Sequence, residues 1–197
     1  MKIRILVAAL LGGLTLFAWG GLSHMMLGLG DHGLQAAPPA PGDQALLDSL
    51  KATLPASGFY FFPGMDPSKM GDAAVRAEWE ERTKSNPHGF IVYNTAPYGG
   101  MGAQLGREVI IDIGVALVAA ILLSWALGCC ATLVGRVGFV TLLGLIVALR
   151  PIQQWNWYEF PCNFTCAQVA DGVIGFLLLG VVLGLIIKPK GGTPAAS

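Results

Sequence analysis

The chain has 197 residues, of which 54% are hydrophobic and only 12% are charged, and its mean hydropathy is +0.61. These values exclude an ordinary soluble domain and predict an integral membrane protein. Its formal net charge is zero and it has no Lys/Arg cluster, so the pattern also argues against nucleic acid as a partner, because binding to phosphates needs several clustered cations.

Residues 1–30 predict a short cytoplasmic flank followed by a first transmembrane helix. Lys2 and Arg4 precede a run, 5–30, that contains no Asp, Glu, Lys or Arg. A secretory signal peptide has an apolar core of only about 7–15 residues and ends at a small-x-small cleavage site. Residues 34–37 fit such a site badly, so we expect an uncleaved membrane anchor.

Residues 31–106 form the only segment polar enough to be a water-exposed domain, and they begin with a Pro-rich linker. Asp43 is expected to cap a first helix that stops at Pro55, because an Asp side chain accepts hydrogen bonds from the free N–H groups of a first turn. Asp66 or Asp72 is expected to begin a second helix in the same way. The segment is therefore expected to fold as a small lobe.

Two short strands are predicted in this lobe, over residues 58–62 and 89–93, with the second helix between them. A strand, a helix and a strand in that order predict a right-handed crossover and parallel strands, which makes the lobe α+β. A sheet of two strands is marginally stable by itself. We therefore expect the lobe to rest on the membrane helices or on a partner.

Three further transmembrane helices are predicted over residues 107–128, 137–154 and 171–197, the last including a cytoplasmic tail. In the first of these, the nineteen residues 109–127 contain one ionisable side chain, Asp112, and are long enough at about 1.5 Å per residue to cross a hydrocarbon core of about 30 Å. Residues 155–170 are expected to form an outer loop with an aromatic belt at the headgroup level. The belt residues are Trp155, Trp157 and Tyr158.

The short cationic flanks set the expected orientation. They all fall on one side of a model with four helices, and the positive-inside rule makes that side cytoplasmic. The cations are Lys2, Arg4, Arg136, Lys188 and Lys190. The sequence therefore predicts a mainly α, multi-pass membrane protein, N-in and C-in. Its α+β lobe, residues 31–106, is extracytoplasmic and lies between helices 1 and 2.

Asp112 and Arg150 are charged residues inside predicted transmembrane helices, where a charge usually has a partner. Each lies about five residues, or roughly 7.5 Å, from the outer end of its helix, so we expect an ion pair at matched depth. Glu108 lies one turn above Asp112, and His24 and Asp171 fall near the same level. The cluster predicts either an ion pair that fixes helix packing or an outward-facing pocket for an ion, a proton or a lipid headgroup.

Cys162 and Cys166 lie in the predicted outer loop, where an oxidising compartment favours a disulfide. Free thiols or a catalytic pair are the alternatives. Four N-in and C-in helices are similar to the disulfide-forming membrane oxidases, but the first outer loop of this chain contains no cysteine. A structural disulfide is therefore favoured over catalysis.

Metal and cofactor chemistry finds little support in the sequence. The segment around His24, Met25 and His32 resembles a soft copper site, because imidazole and thioether groups suit copper. The chain has only three His residues and no ligand pair at metal-binding spacing, so polar residues at a helix end explain the segment better. Since no nucleophile–base pair appears either, we expect no metal, no cofactor and no enzymatic activity.

Three stretches, residues 19–25, 58–64 and 155–158, resemble a group of small uncharacterised bacterial inner-membrane proteins with four transmembrane helices and one outer loop domain. The resemblance implies this architecture and a location in the bacterial inner (plasma) membrane, but no activity. We expect a non-enzymatic accessory or assembly subunit of a larger membrane complex, with the lipid bilayer and other membrane subunits as partners. The alternative is a small transporter, or an ion- or proton-handling protein that uses the Asp112 and Arg150 pocket. Four short helices without a repeat make that alternative weaker for a monomer.

Overall fold

The structure, a computed structural model, describes residues 2–97 and 99–189. The described residues form six α-helices, two strands and one 3₁₀ helix, Pro67–Lys69. In chain order the larger elements are α1 (Lys2–Met25), α2 (Gly42–Thr53), β1 (Gly58–Phe62), α3 (Ala73–Ser85), β2 (Gly89–Tyr93), α4 (Met101–Ala126), α5 (Leu133–Tyr158) and α6 (Cys162–Ile186). The chain divides into a helical unit, Met1–Leu34 with Gly99–Ser197, and a lobe unit, Gln35–Tyr98.

The helical unit contains four helices that are long and apolar enough to cross a membrane, namely α1, α4, α5 and α6. This confirms the predicted number of such helices and fits a multi-pass membrane protein. The main contacts run from α4 to α1, from α1 to α6 and from α6 to α5, whereas α4 and α5 touch each other little. The helices therefore pack in the order α4, α1, α6, α5, which differs from their order in the chain.

Glycines allow these helices to approach closely. A Cβ atom at Gly13 of α1 would lie 2.5 Å from the Cα of Ile113 in α4, and one at Gly180 of α6 would lie 3.0 Å from the carbonyl oxygen of Val137 in α5. Small and branched side chains fill the space between them. The fully buried side chains of this core include Ala8, Ala116, Ala120, Leu123, Val140, Leu179 and Leu183.

The predicted outer loop over residues 155–170 is wrong, because most of it is helical. Helix α5 continues through Pro151 to Tyr158, and α6 begins at Cys162, so only residues 159–161 connect them. Glu159 closes α5 in the left-handed conformation, with φ 55°. Hydropathy marks where apolar residues end, but a helix continues into water as long as its polar residues permit the helical conformation.

The two strands of the lobe pair antiparallel, which corrects the predicted parallel crossover. Phe62, at the end of β1, lies opposite Gly89, at the start of β2. The segment between them therefore begins and ends at the same end of the sheet. Residues 63–72 lie before α3 and can extend by up to about 33 Å, which exceeds the roughly 20 Å length of that helix. Residues 63–72 can therefore run in one direction and α3 in the other, so that the connection returns to the end of the sheet where it began. The order strand, helix, strand does not distinguish this connection from a crossover.

Of the two alternative starts predicted for the second helix, Asp72 is confirmed, whereas Asp66 caps the 3₁₀ helix Pro67–Lys69 instead. Asp72 accepts hydrogen bonds from the N–H groups of Ala74 and Val75 at the start of α3. Asp66 accepts hydrogen bonds from the hydroxyl and the N–H group of Ser68, which hold the pKa of the Asp66 carboxyl below its usual value. The third predicted cap is wrong. Helix α2 begins at Gly42, so Asp43 lies inside its first turn and does not cap it.

The lobe unit has almost no interior of its own. Pro63 is the single buried residue among its described residues. It accepts a hydrogen bond, 2.8 Å long, from the indole N–H of Trp79, which ties α3 to the end of β1. Phe59 and Val92 share one face of the sheet and are 61% and 79% exposed. The lobe therefore leaves large apolar side chains uncovered.

Candidate functional site

The structure does not bring Asp112 and Arg150 together. Within residues 2–97 and 99–189, the one ion pair joins His24 and Asp31. The Arg150 guanidinium is exposed and donates a hydrogen bond to Gln153 on its own helix, with 3.4 Å between Nη1 and Oε1. The predicted ion pair between Asp112 and Arg150 is therefore absent from this structure.

The packing of the helices explains why the two charges are separated. Asp112 lies next to Ile113, which packs on Gly13 near the middle of α1, and α4 begins about three turns before it. Arg150 lies beyond Gly144, which packs on Phe176 of α6, towards the end of the bundle that holds the C-terminus of α5, which we call the outer end after the predicted orientation. Their levels differ by roughly 10 Å at 1.5 Å per residue, and α1 and α6 lie between their helices in the packing order.

Asp112 is half-buried, and its carboxylate makes neither a hydrogen bond nor an ion pair with any residue that the structure describes. It shares a helix face with Ala116 and Ala119, which are buried against α1. No described residue of α4 before Ala116 is buried, and Glu108, one turn outward from Asp112, is exposed. The packed stripe of α4 therefore continues outward as an uncovered face that begins at Asp112.

Asp171 lies in α6 and pairs with α1. Its carboxylate accepts a short hydrogen bond from the Ser23 hydroxyl, and its main-chain carbonyl accepts one from the indole N–H of Trp19, 3.1 Å long. Ser23 is fully buried. These bonds fasten α1 to α6 near the outer end of both helices. Asp171 is thus a packing residue in this structure, with a partner that the sequence analysis did not identify.

His24 points to a different partner although it follows Ser23 directly. Its Nδ1 atom lies 2.9 Å from Oδ1 of Asp31, in the loop that follows α1. The Gln168 side chain of α6 donates a hydrogen bond, 2.7 Å long, to the carbonyl of Gly30 in that loop. The loop therefore folds back over the outer end of α6, and His24 stabilises the loop instead of joining Asp112 or Arg150 in a pocket.

Gly33 completes this contact between the loop and α6. Its φ angle is +89°, and a Cβ atom there would lie 2.8 Å from the backbone N of Phe164. Both the conformation and the close approach require glycine. Nearby, the hydroxyl of Thr165 is buried and makes no hydrogen bond with any of the residues that the structure describes. A buried water molecule is the usual partner of such a group.

The aromatic belt residues lie at the outer end of α5. Trp155, Trp157 and Tyr158 are 47%, 77% and 49% exposed. Arg150, Gln153 and Trp157 follow one another at three- and four-residue spacing, so they share one helix face. An exposed cation below exposed tryptophans is the arrangement that reaches lipid headgroups from a transmembrane helix.

Cys162 and Cys166 are free thiols in this structure, with their Sγ atoms 4.0 Å apart and both side chains exposed. They occupy the first two turns of α6, which replaces the predicted loop around them. A disulfide needs about 2.05 Å between the sulfurs, so the pair must approach before it can form one. The disulfide stays a prediction.

Arg136 has a structural role that the sequence analysis missed. It is only 6% exposed, and its guanidinium donates hydrogen bonds to the carbonyls of Gly184, 2.9 Å away, and Ala131, 2.5 Å away. The sequence marked Arg136 only as a cytoplasmic flank cation. Arg136 lies in the first turn of α5, and nothing in the surrounding sequence indicates that its side chain points into the bundle.

In the described part of the chain, no three His, Cys, Asp or Glu side chains converge to hold a metal ion. The structure instead joins Ser23 and Trp19 to Asp171, and Gln168 to Gly30. No spacing or residue type in the sequence marked these polar groups as partners. Comparison of the chain with protein-family models, with curated proteins and with solved structures found no match.

Proposed function

We propose that this protein is a non-enzymatic accessory or assembly subunit of a larger complex in the bacterial inner membrane. The observation that carries the proposal is the lobe unit, in which Pro63 alone is buried among the described residues. A folded unit is stabilised mainly by buried apolar area, and small domains without a sufficient core usually need an additional source of stability. A partner surface would supply it.

The exposed apolar side chains of the lobe support this reading. Phe59 and Val92 lie opposite each other on one face of the sheet, and Leu46 and Leu47 of α2 are 45% and 46% exposed. Each strand also has one edge without a partner strand among the described residues. Uncovered apolar side chains and open strand edges are features of surfaces that bind other proteins.

The proposed arrangement is multi-pass, N-in and C-in, with the lobe on the extracytoplasmic side. The four apolar helices and the cationic flanks at Lys2, Arg4 and Lys188 support it. The same arrangement keeps the acidic residues of the lobe outside the cytoplasm. It also exposes the lobe to the extracytoplasmic parts of any neighbouring subunit.

Purification from native membranes in a mild detergent tests the proposal. A subunit of a complex should elute with other chains in a fixed ratio, and a truncated protein without residues 35–97, with α1 rejoined to α4 by a flexible linker, should lose them. A protein that elutes alone, at the mass of one chain plus detergent, would contradict the proposal.

An ion- or proton-handling function is the second candidate, since Asp112 has no partner among the described residues. An isolated carboxylate in a transmembrane helix is a functional-site hypothesis by default. This candidate predicts ion or proton flux across vesicles that contain the purified protein alone. Four helices without an internal repeat make it the weaker candidate unless several copies assemble.

A further inference from the structure

We propose that the uncovered face of α4 that begins at Asp112 binds a transmembrane helix of another protein, and that this helix carries a Lys or Arg side chain at mid-span. The inference rests on the proposed function and specifies the chemistry of the partner. It concerns the side of α4 that carries Met101, Leu105, Glu108 and Asp112, which follow one another at three- and four-residue spacing and which we call the α4 outer face.

The depth of Asp112 is the first step. Gly13, which packs on Ile113, lies near the middle of α1, so Asp112 lies close to mid-bilayer when α1 spans the membrane. An ionised carboxylate there costs roughly 2.5–3.5 kcal/mol unless it is paired. Lipid tails cannot pair with it, and the described residues of this chain do not.

The packing of α4 is the second step. The stripe that α1 covers includes Ala116, Ala119 and Leu123, and it ends at Asp112 although α4 continues outward for about three turns. Met101 and Leu105, on the same side of the helix as Asp112, are 60% and 40% exposed. The α4 outer face thus combines apolar side chains with two acids, of which Asp112 is at mid-span and Glu108 lies one turn outward, so a helix with a cation at mid-span is complementary to it.

A second copy of this chain does not supply that cation. Arg136 is buried and donates to two carbonyls of its own bundle, and Arg107 and Arg150 lie roughly 7.5 Å and 10 Å further out than Asp112. Copies inserted with the same topology hold these residues at the same depths. The matching cation must therefore come from a different protein.

Reconstitution with model helices tests the inference directly. The purified full-length protein, labelled with a donor dye, is placed in phosphatidylcholine vesicles with acceptor-labelled Leu/Ala peptides of about 21 residues, enough to span the bilayer. One peptide carries Lys at its centre, a second carries Leu there, and a third carries Lys one turn nearer its outer end. Energy transfer then reports binding.

We expect the central-Lys peptide to bind about tenfold more tightly than the central-Leu peptide, which corresponds to one polar interaction between transmembrane helices. Moving the Lys by one turn should remove most of the gain. Asp112→Asn should abolish it, whereas Glu108→Gln, one turn outward, should retain it. The comparison of peptides on the unmodified protein remains valid even if the Asp112→Asn protein fails to fold.

Equal binding of the Lys and Leu peptides would overturn the inference, as would a preference for Lys that survives in Asp112→Asn. Energy transfer between two labelled copies, with no peptide preference, would assign the face to a second copy and would also overturn it. Purification from native membranes distinguishes a failure of this inference from a failure of the proposed function. If the complex persists with Asp112→Asn, the inference fails alone. If the unmodified protein has no partner, the proposed function fails.

Discussion

The guanidinium of Arg136, in the first turn of α5, donates a hydrogen bond from Nε to the main-chain carbonyl of Gly184, in the last turn of α6. Gly184 is one of the last four residues of its helix, so its carbonyl has no N–H partner within the helix. A cation at the carboxyl end of a helix also interacts favourably with the helix dipole. One side chain thus caps α6 and joins it to α5.

Replacing Arg136 should therefore weaken the bundle at this end. We expect Arg136→Gln to lower the free energy of unfolding by about 1.5–3 kcal/mol, the usual contribution of a hydrogen bond to a charged group. Arg136→Lys keeps the charge but loses the Nε donor and should recover only part of this. Thermal unfolding in detergent measures both. If Lys restored full stability, charge alone would explain the role of Arg136.

The four helices that are long and apolar enough to cross a membrane could be predicted, because an apolar run of sufficient length leaves few alternatives to such a helix. Their ends could not, because hydropathy changes where the lipid ends and not where the helix ends. Helix α4 begins at Met101, before the predicted start at Arg107, and α6 begins at Cys162, well before Asp171. Polar residues in these turns still favour a helix.

Which residues meet in the candidate site depends on which helices contact each other, and no pattern in the sequence predicted those contacts. Charges suggested that Asp112 and Arg150 would meet, but close approach at Gly13 and Gly144 decides the neighbours and the levels of the helices. The partner of Asp171 proved to be Ser23, a residue without charge. A small polar residue at the correct helical spacing is too common to be recognised as a partner.

The bond between Ser23 and Asp171 should contribute to the packing of α1 on α6. We expect Ser23→Ala to destabilise the protein by about 1–3 kcal/mol, because it leaves a half-buried carboxylate without its donor. Thr15→Ala is a matched control on α1, since the Thr15 hydroxyl bonds only to the exposed carbonyl of Leu11 in the same helix. Equal losses of thermal stability in the two variants would argue against a packing role for this bond.

The thiols of Cys162 and Cys166 should be convertible into a disulfide by a mild oxidant, since both are exposed and their sulfurs lie 4.0 Å apart. Mass spectrometry of the untreated protein under non-reducing conditions shows whether the linked peptide already exists in the cell. Cys129 and Cys130, whose sulfurs lie 3.9 Å apart on the predicted cytoplasmic side, are the control for the untreated protein, since they should remain thiols there. Rapid alkylation of Cys162 and Cys166 in freshly isolated membranes would rule out the disulfide.

Membrane orientation can be tested with a reporter enzyme that is active only outside the cytoplasm. The positions of Lys2, Arg4 and Arg136 predict activity for a fusion near Gly100 and none for fusions near Gly135 or after Ser197. A cytoplasm-specific reporter at the same positions should give the reverse pattern. Activity of the first reporter after Ser197 would exclude four transmembrane helices with both ends inside.

Asp112 and Arg150 should behave as independent residues. Because their helices are separated by α1 and α6 and their levels differ by roughly 10 Å, the effects of Asp112→Ala and Arg150→Ala on thermal stability should add within about 0.3–0.5 kcal/mol in a double-mutant cycle. The single changes should also differ in kind. Removing Asp112 takes an unpaired carboxylate out of the bundle and should stabilise the isolated protein, whereas Arg150→Ala removes an exposed cation and should change its stability little. A coupling energy above about 1 kcal/mol would show that the two charges do meet, and that the α4 outer face is closed by this chain itself.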